Sequence, residues 1–176
     1  KTLSYADVDR LSAAFCAYLQ HDLGVKKGDR IAVMSPNFAA FPVAFLGIAR
    51  AGAVQVNVNP MYTPRELEHQ LNDAGCQTIV IFTGSTPVLA EIIGKTAIKT
   101  VITVSPGDTL GVALPSPAVD ARLQATVPLT HALDIGSTKT RVPVALTGAD
   151  TLFLQYTGGT TGLSKGATLS HRNILN

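Results

Sequence analysis

The sequence predicts an α/β fold: a doubly wound, mostly parallel sheet with flanking helices. Three observations carry that expectation. Between Ser4 and Val104, apolar runs of strand length alternate with helix-length amphipathic stretches, at spacings that suit parallel crossovers. The strand-length runs, such as Thr78–Phe82, are nearly continuous in apolar residues, as expected where helices cover both faces of a sheet. Hydrophobic residues make up 46% and charged residues 15% of 176, a composition for a buried core and against disorder. A chain of this length is one domain or part of one, with room for a sizeable core.

Each element has a local reason. Ser4 precedes Asp7 by three residues, which suits a helix start. Val8, Leu11, Phe15, Tyr18 and Leu19 then recur at helical spacing, and Gly24 offers a stop. Residues 25–29 form a turn before a strand over Arg30–Ser35. After Pro36, Asn37 is placed to cap a helix running to about Arg50 and closed near Gly52. The next strand is Ala53–Val58. Thr63-Pro64-Arg65-Glu66 combines a cap, a proline at the first helical position and an acid at the third. Leu67 and Leu71 mark that helix's buried face, and Gly75 ends it. A strand over Thr78–Phe82, a helix from Thr86-Pro87 through Ile93 and a strand over Lys99–Val104 complete a parallel α/β unit, residues 1–104.

Residues 105–149 change character. Pro106, Pro115, Pro117, Pro128 and Pro143 lie among scattered Gly, Ser and Thr. The expectation is an irregular or partly disordered connection with one short helix near Leu129–Leu133, although a stretch so long is unusual inside a compact domain. Residues 150–176 resume order: a strand over Thr151–Gln155, a glycine loop, a strand over Gly166–Leu169 that would pair with it, and a helix capped by Ser170.

That loop is the functional centre of the chain. From Tyr156 it reads Thr157-Gly158-Gly159-Thr160-Thr161-Gly162-Leu163-Ser164-Lys165-Gly166-Ala167. Glycines let a backbone approach a ligand closely, and successive exposed N–H groups form an anion-binding nest. Hydroxyls add donors, and Lys165 adds a mobile cation suited to phosphate. The position behind a strand is where open α/β sheets bind ligands. The spacing excludes a Walker A loop, because Lys165 precedes Gly166 and not Ser or Thr. It also fails G-x-G-x-x-G. Without nucleotide, Tyr156–Gly166 is expected to be mobile, since glycines lose the most backbone entropy on ordering.

Other features exclude other classes. A net charge of +2 makes no electrostatic case for nucleic acid or an acidic membrane. Cys16 and Cys76 are too few and too far apart for a metal cluster and read as buried thiols of a reducing compartment, with a disulfide between them left open. No signal peptide opens the sequence, and no apolar run reaches the roughly 18 residues of a membrane span. Lys1 is not an initiator methionine and the sequence stops within a helix, so a fragment of a longer protein is expected.

Tyr156–Ala167 resembles the ATP-binding signature of the adenylate-forming enzymes: acyl-CoA synthetases, luciferases and peptide-synthetase adenylation domains. Many members carry proline at the position of Ser164. The residue here is similar to that of the bacterial long-chain fatty acyl-CoA synthetases, as are Ser170-His171-Arg172-Asn173 and the run Asn57–Glu68. The resemblance covers residue 1 to about residue 104 and residues 150–176, and is weak between. It implies part of a larger N-terminal domain whose whole protein converts a long-chain fatty acid, with ATP, to an acyl-adenylate and then an acyl-CoA. ATP, Mg2+ and coenzyme A would be cofactor and co-substrates, the location would be cytoplasmic, and peripheral contact with the inner face of the membrane and a homodimer stay open. Two alternatives also stay open: a ligase for an aryl or short-chain acid, and a non-catalytic nucleotide-binding module. Thr157, Thr160, Thr161 and Ser164 are assigned as phosphate donors, Gly158, Gly159, Gly162 and Gly166 as backbone providers, and Lys165 as a charge partner. Tyr156, Leu163 and Ala167 complete the segment. No catalytic residue and no metal ligand is expected within these 176 residues. The magnesium-holding acid, the adenine and ribose contacts, the acyl tunnel and the C-terminal domain with its lysine would lie elsewhere, so the piece alone is expected to be inactive.

The remaining polar residues carry weaker expectations. His69 and His131 are isolated and read as surface or core-edge residues. His171 is evenly a helix-start residue or a substrate contact. Asn57 and Asn59 share a strand face, as a site's polar edge or a strand end satisfying its turn.

Overall fold

The computed structural model describes residues 2–157 and 164–175. The expectation that Tyr156–Gly166 is mobile falls largely on residues 158–163, which lie outside the described residues. Seven strands form one sheet in the order β5-β4-β3-β1-β2-β6-β7. They are β1 (Arg30–Met34), β2 (Val54–Asn57), β3 (Thr78–Phe82), β4 (Thr100–Val104), β5 (Thr126–Pro128), β6 (Thr151–Thr157) and β7 (Lys165–Ser170). Every pairing from β5 to β6 is parallel, and only β7 runs antiparallel to β6. The four strands expected to lie parallel do so, the two expected over 151–155 and 166–169 join the same sheet, and β5 is the one strand added.

Helices cover both faces. On one side α1 (Tyr5–His21), α2 (Ala40–Arg50) and α5 (Leu129–Ser137) pack Phe15, Leu19, Ile48 and Leu129 against Ile31, Val33, Val80 and Ile102. On the other, α3 (Pro64–Ala74) and α4 (Thr86–Ile92) pack Leu67, Leu71 and Leu89 against Ala32, Met34, Ile79 and Ile81. Neighbouring residues of β1 and β3 thus enter opposite cores, which is why these strands are apolar without alternation.

Local signals hold for α1 and α3. Ser4 and Asp7 exchange hydrogen bonds as a capping box, and so do Thr63 and Glu66. Gly75 closes α3 in the left-handed conformation, φ 64°. Two boundaries differ from expectation. Asn37 does not cap α2, which begins at Ala40 after Ala39 without a side-chain cap. Pro42 sits in the first turn, where its missing N–H has no helical partner to lose. Gly24 does not end α1 either: the helix stops at His21, and Gly24, φ 65°, shapes the turn beyond.

Residues 105–149 are irregular over most of their length, as expected, but they also contribute an edge strand and a packed helix to the body of the fold. Thr126–Pro128 adds a parallel edge strand beside β4. Helix α5 runs to Ser137, beyond the expected Leu133, and buries Leu129, Ala132 and Leu133. The chain then lies along α1. Gln20 exchanges hydrogen bonds with the backbone of Val142 at 2.9 and 2.8 Å, and Lys139 pairs with Asp22 at 2.5 Å. A three-residue strand ending in proline carries no periodicity, and an extended strap held by backbone groups carries no side-chain pattern. Both escape a reading by period. Cys16 and Cys76 are buried and free, so they form no disulfide. No helix among the described residues is long and apolar enough to cross a membrane.

Candidate functional site

The glycine segment joins β6 to β7 at the carboxyl edge of the sheet. The hairpin register sets Tyr156 opposite Gly166 and Thr157 opposite Lys165, so the expected charge partner stands beside the first expected hydroxyl. Ala167 pairs with Gln155. Lys165 is exposed and, among the described residues, has no ion-pair partner. Gly158, Gly159, Thr160, Thr161, Gly162 and Leu163 lie outside the described residues.

Gly166 has a packing reason to be glycine. A Cβ there would stand 2.9 Å from Cε2 and 3.0 Å from Cζ of Tyr156, so the phenol ring lies across its bare backbone. That ring is buried, with its hydroxyl donating to Asp73 Oδ2 at 2.5 Å. Burial first, and then the Asp73 carboxylate, push the Tyr156 phenol well above the ordinary tyrosine range. On the returning leg, His69 Nε2 lies 3.2 Å from the carbonyl oxygen of Ser164. His69 is therefore not isolated, and Asp73 was not expected at the site at all. Both sit on α3, and nothing in their spacing points across the fold to residues 156 and 164.

A second polar feature lies on the opposite face of β2 and β6. Gln55 donates to Asn57 Oδ1 at 2.6 Å, and Asn57 donates to Gln155 Oε1 at 2.7 Å. Gln70 of α3 caps the strand end by donating to the Asn57 carbonyl at 2.7 Å. This chain of amides runs toward the hairpin mouth. It ends at a cleft of about 390 Å³ lined by Asn57, Asn59, Tyr62, Gln155 and Tyr156. Asn57 is thus bonded within this amide chain and lines the cleft. Asn59 instead accepts from the Met61 N–H at 3.0 Å and serves the turn. A cleft of similar size, about 380 Å³, sits at the amino ends of β1, β2 and β6 around Lys27 and Asp150. It faces away from the hairpin mouth, whereas the amide-lined cleft, and a cleft of about 440 Å³ lined by Arg65, Glu68, His69, Asn72 and Asp73, lie beside the hairpin.

The point where the strand order reverses, between β1 and β3, is where such sheets often bind ligands. Here Phe38 and Phe82 meet edge to face across it, with centroids 5.2 Å apart. Apolar packing occupies that position, and the polar groups gather at β2 and β6 instead. Among the described residues no group of three His, Cys, Asp or Glu side chains converges on a metal position. His171 opens α6 (His171–Leu175), where Ser170 and Asn173 exchange the capping hydrogen bonds.

The architecture and sequence have known counterparts. A long-chain-fatty-acid–CoA ligase of Escherichia coli O6:H1 is 46% identical over 99% of this chain and 33% of its own length. The chain thus spans about a third of the relatives it matches. The crystal structure of a long-chain-fatty-acid-CoA ligase from Archaeoglobus fulgidus superposes with a TM-score of 0.74 at 27% identity, covering 96% of this chain and 30% of that one. The adenylation–carrier didomain of a carboxylic acid reductase from Segniliparus rugosus gives a TM-score of 0.82 at 18% identity, over 99% and 26% of the two chains, and shows the fold alone. The family model described as AMP-binding enzyme matches residues 1–176, and the chain belongs to that family.

Proposed function

We propose that the whole protein activates a long-chain fatty acid with ATP and transfers it to coenzyme A. The observation that carries the phosphate-binding part is the hairpin mouth. It sets the exposed Lys165 against Thr157 at the carboxyl edge of the sheet, beside an amide-lined cleft. The choice of a fatty acid rests on the activity named for the Escherichia coli relative.

A carboxylate is a poor acyl donor because its leaving group would be an oxide. Attack of the carboxylate on the α-phosphorus of ATP displaces pyrophosphate and leaves an acyl-adenylate with a good leaving group. The thiol of coenzyme A then attacks the acyl carbon and releases AMP. The segment's part is positioning and charge. Thr157, Thr160, Thr161 and Ser164 donate to the β- and γ-phosphates, the glycines bring backbone N–H groups close, and Lys165 offsets charge on the departing pyrophosphate. Magnesium arrives as the counter-ion of the triphosphate. The relatives are about three times as long as this chain, so the activity belongs to the whole protein and the 176 residues alone are expected to be inactive. The same reading puts the protein in the cytoplasm with peripheral access to the inner membrane face, where its substrate concentrates; cell fractionation tests that.

The test is fatty-acid-dependent pyrophosphate release by the whole protein, with Thr160→Ala and Gly162→Val as variants. Loss of a charge-assisted donor of about 1.5–3 kcal/mol predicts a rate roughly 10- to 100-fold slower for Thr160→Ala. Unaltered rates in both variants would refute the phosphate assignment. Release driven by benzoate or acetate and not by palmitate would move the protein to another acid.

A further inference from the structure

Two side chains of α3, one helical turn apart, reach the two legs of the β6–β7 hairpin. Asp73 accepts the Tyr156 hydroxyl at 2.5 Å on the leg entering the glycine segment. His69 Nε2 is 3.2 Å from the Ser164 carbonyl on the leg leaving it. A carbonyl oxygen only accepts, so His69 carries its proton on Nε2 and donates. Residues at i and i+4 project from the same side of a helix, which lets one helix touch both legs. The helix is itself fixed. Thr63 and Glu66 cap its start, Gly75 its end, and Leu67 and Leu71 are fully buried beneath it.

We propose that α3 is a two-point clamp on the glycine segment, with Asp73 fixing the incoming leg through Tyr156 and His69 the outgoing leg through Ser164. Both are then positioning residues for the phosphates of ATP, which rests on the reading that this segment binds them. In this role neither needs to touch the ligand, although both line a cleft of about 440 Å³ beside the hairpin. They act by holding the ends between which the phosphate donors are strung. Ser164 is bonded directly to Lys165, so freeing its carbonyl frees the cation's backbone. Freeing the Tyr156 hydroxyl releases the ring that lies across Gly166. Each contact removed lets one leg drift, and a site of this kind loses affinity with displacements well under 1 Å.

The experiment compares His69→Leu with His69→Gln, and Asp73→Ala with Asp73→Asn, in the whole protein. The glutamine amide still donates to the Ser164 carbonyl, and the asparagine oxygen still accepts from Tyr156. Titration calorimetry reads MgATP binding, and steady-state kinetics reads KM for ATP and for palmitate. His69→Leu and Asp73→Ala are expected to weaken ATP binding about five- to tenfold, the loss of one net hydrogen bond. Palmitate KM stays within about twofold, and the Gln and Asn variants stay within about threefold of wild type for ATP. Tyr156→Phe removes the Asp73 bond from the other side. It should weaken ATP as much as Asp73→Ala does, and the double variant no further. The clamp is overturned if the Leu and Ala variants bind ATP like wild type, if Gln and Asn lose as much as Leu and Ala, or if palmitate KM rises in step. A wild-type protein that binds ATP and activates no fatty acid sinks the activity reading alone, and the ATP titrations still decide the clamp. A wild-type protein that binds no ATP sinks both.

Discussion

Gly136 lies where α5 crosses α1, and replacing it with alanine tests whether residues 105–149 belong to the body of the fold. A Cβ at this position would stand 1.9 Å from the carbonyl oxygen of Ala14 and 3.2 Å from Cβ of Tyr18. An ordinary carbon–oxygen contact is about 3.3–3.6 Å, so the two helices must separate by more than about 1 Å. The obstacle is backbone within α1, which has no rotamer to offer. Ser12, Phe15 and Leu19 of the same helix are fully buried, so α1 cannot retreat without opening the core it shares with α2. Overpacking of this kind costs about 1–3 kcal/mol. The gain in helix propensity from glycine to alanine returns about 1 kcal/mol at most. The expected net loss is up to about 2 kcal/mol against wild type, read as a lower urea midpoint with an unchanged slope. Gly94→Ala is the control. An added Cβ there meets nothing within 4 Å and the backbone is not left-handed. It should stay within about 0.5 kcal/mol of wild type or gain slightly. A Gly136→Ala protein as stable as the Gly94→Ala control would mean that α5 does not press on α1, and that the connection is the loose excursion its sequence suggests.

Asp150 is held at about 2, chiefly by the Lys27 ammonium at 2.8 Å and then by the Thr147 N–H. Its folded value is depressed, so its contribution is present above the unfolded value near 4 and is lost as pH falls from about 4 toward 2. Asp150→Asn should flatten the acid limb of a stability–pH curve in that window, and an unchanged limb would contradict the pairing. Burial pushes the Cys76 thiol up to about 12. An aromatic disulfide reagent at pH 8 should leave Cys76 unmodified until the protein unfolds, and rapid native-state labelling would contradict its placement against Leu71 and Ile79.

Where local chemistry and long-range packing agree, the chain could be read directly. Thr63-Pro64-Arg65-Glu66 specifies a helix start by itself, and Gly75 its end, so α3 lies where expected. Thr78–Phe82 is apolar throughout because both of its faces are covered, and its bounds match. Legibility failed where structure is fixed by partners remote in sequence. Thr126–Pro128 is a strand because β4 offers an open edge, not because three residues prefer to be extended. Residues 139–145 are held by Gln20, Asp22 and Lys27, more than a hundred residues away. At the candidate site the hairpin was legible, because a glycine-rich run between two strand-length segments is a local signal. His69 and Asp73 were invisible. A histidine and an aspartate on the outer face of a helix look like solvated surface until the fold brings residues 156 and 164 against them.

The proposed activity of the whole protein is transfer of AMP from ATP to a fatty acid. The most direct measurement is a single turnover with α-labelled ATP, magnesium and palmitate, without coenzyme A. The label is expected to appear in palmitoyl-adenylate, to require palmitate, and to pass to free AMP when coenzyme A is added. Label recovered as ADP, or an adenylate formed with benzoate and not with palmitate, would contradict it.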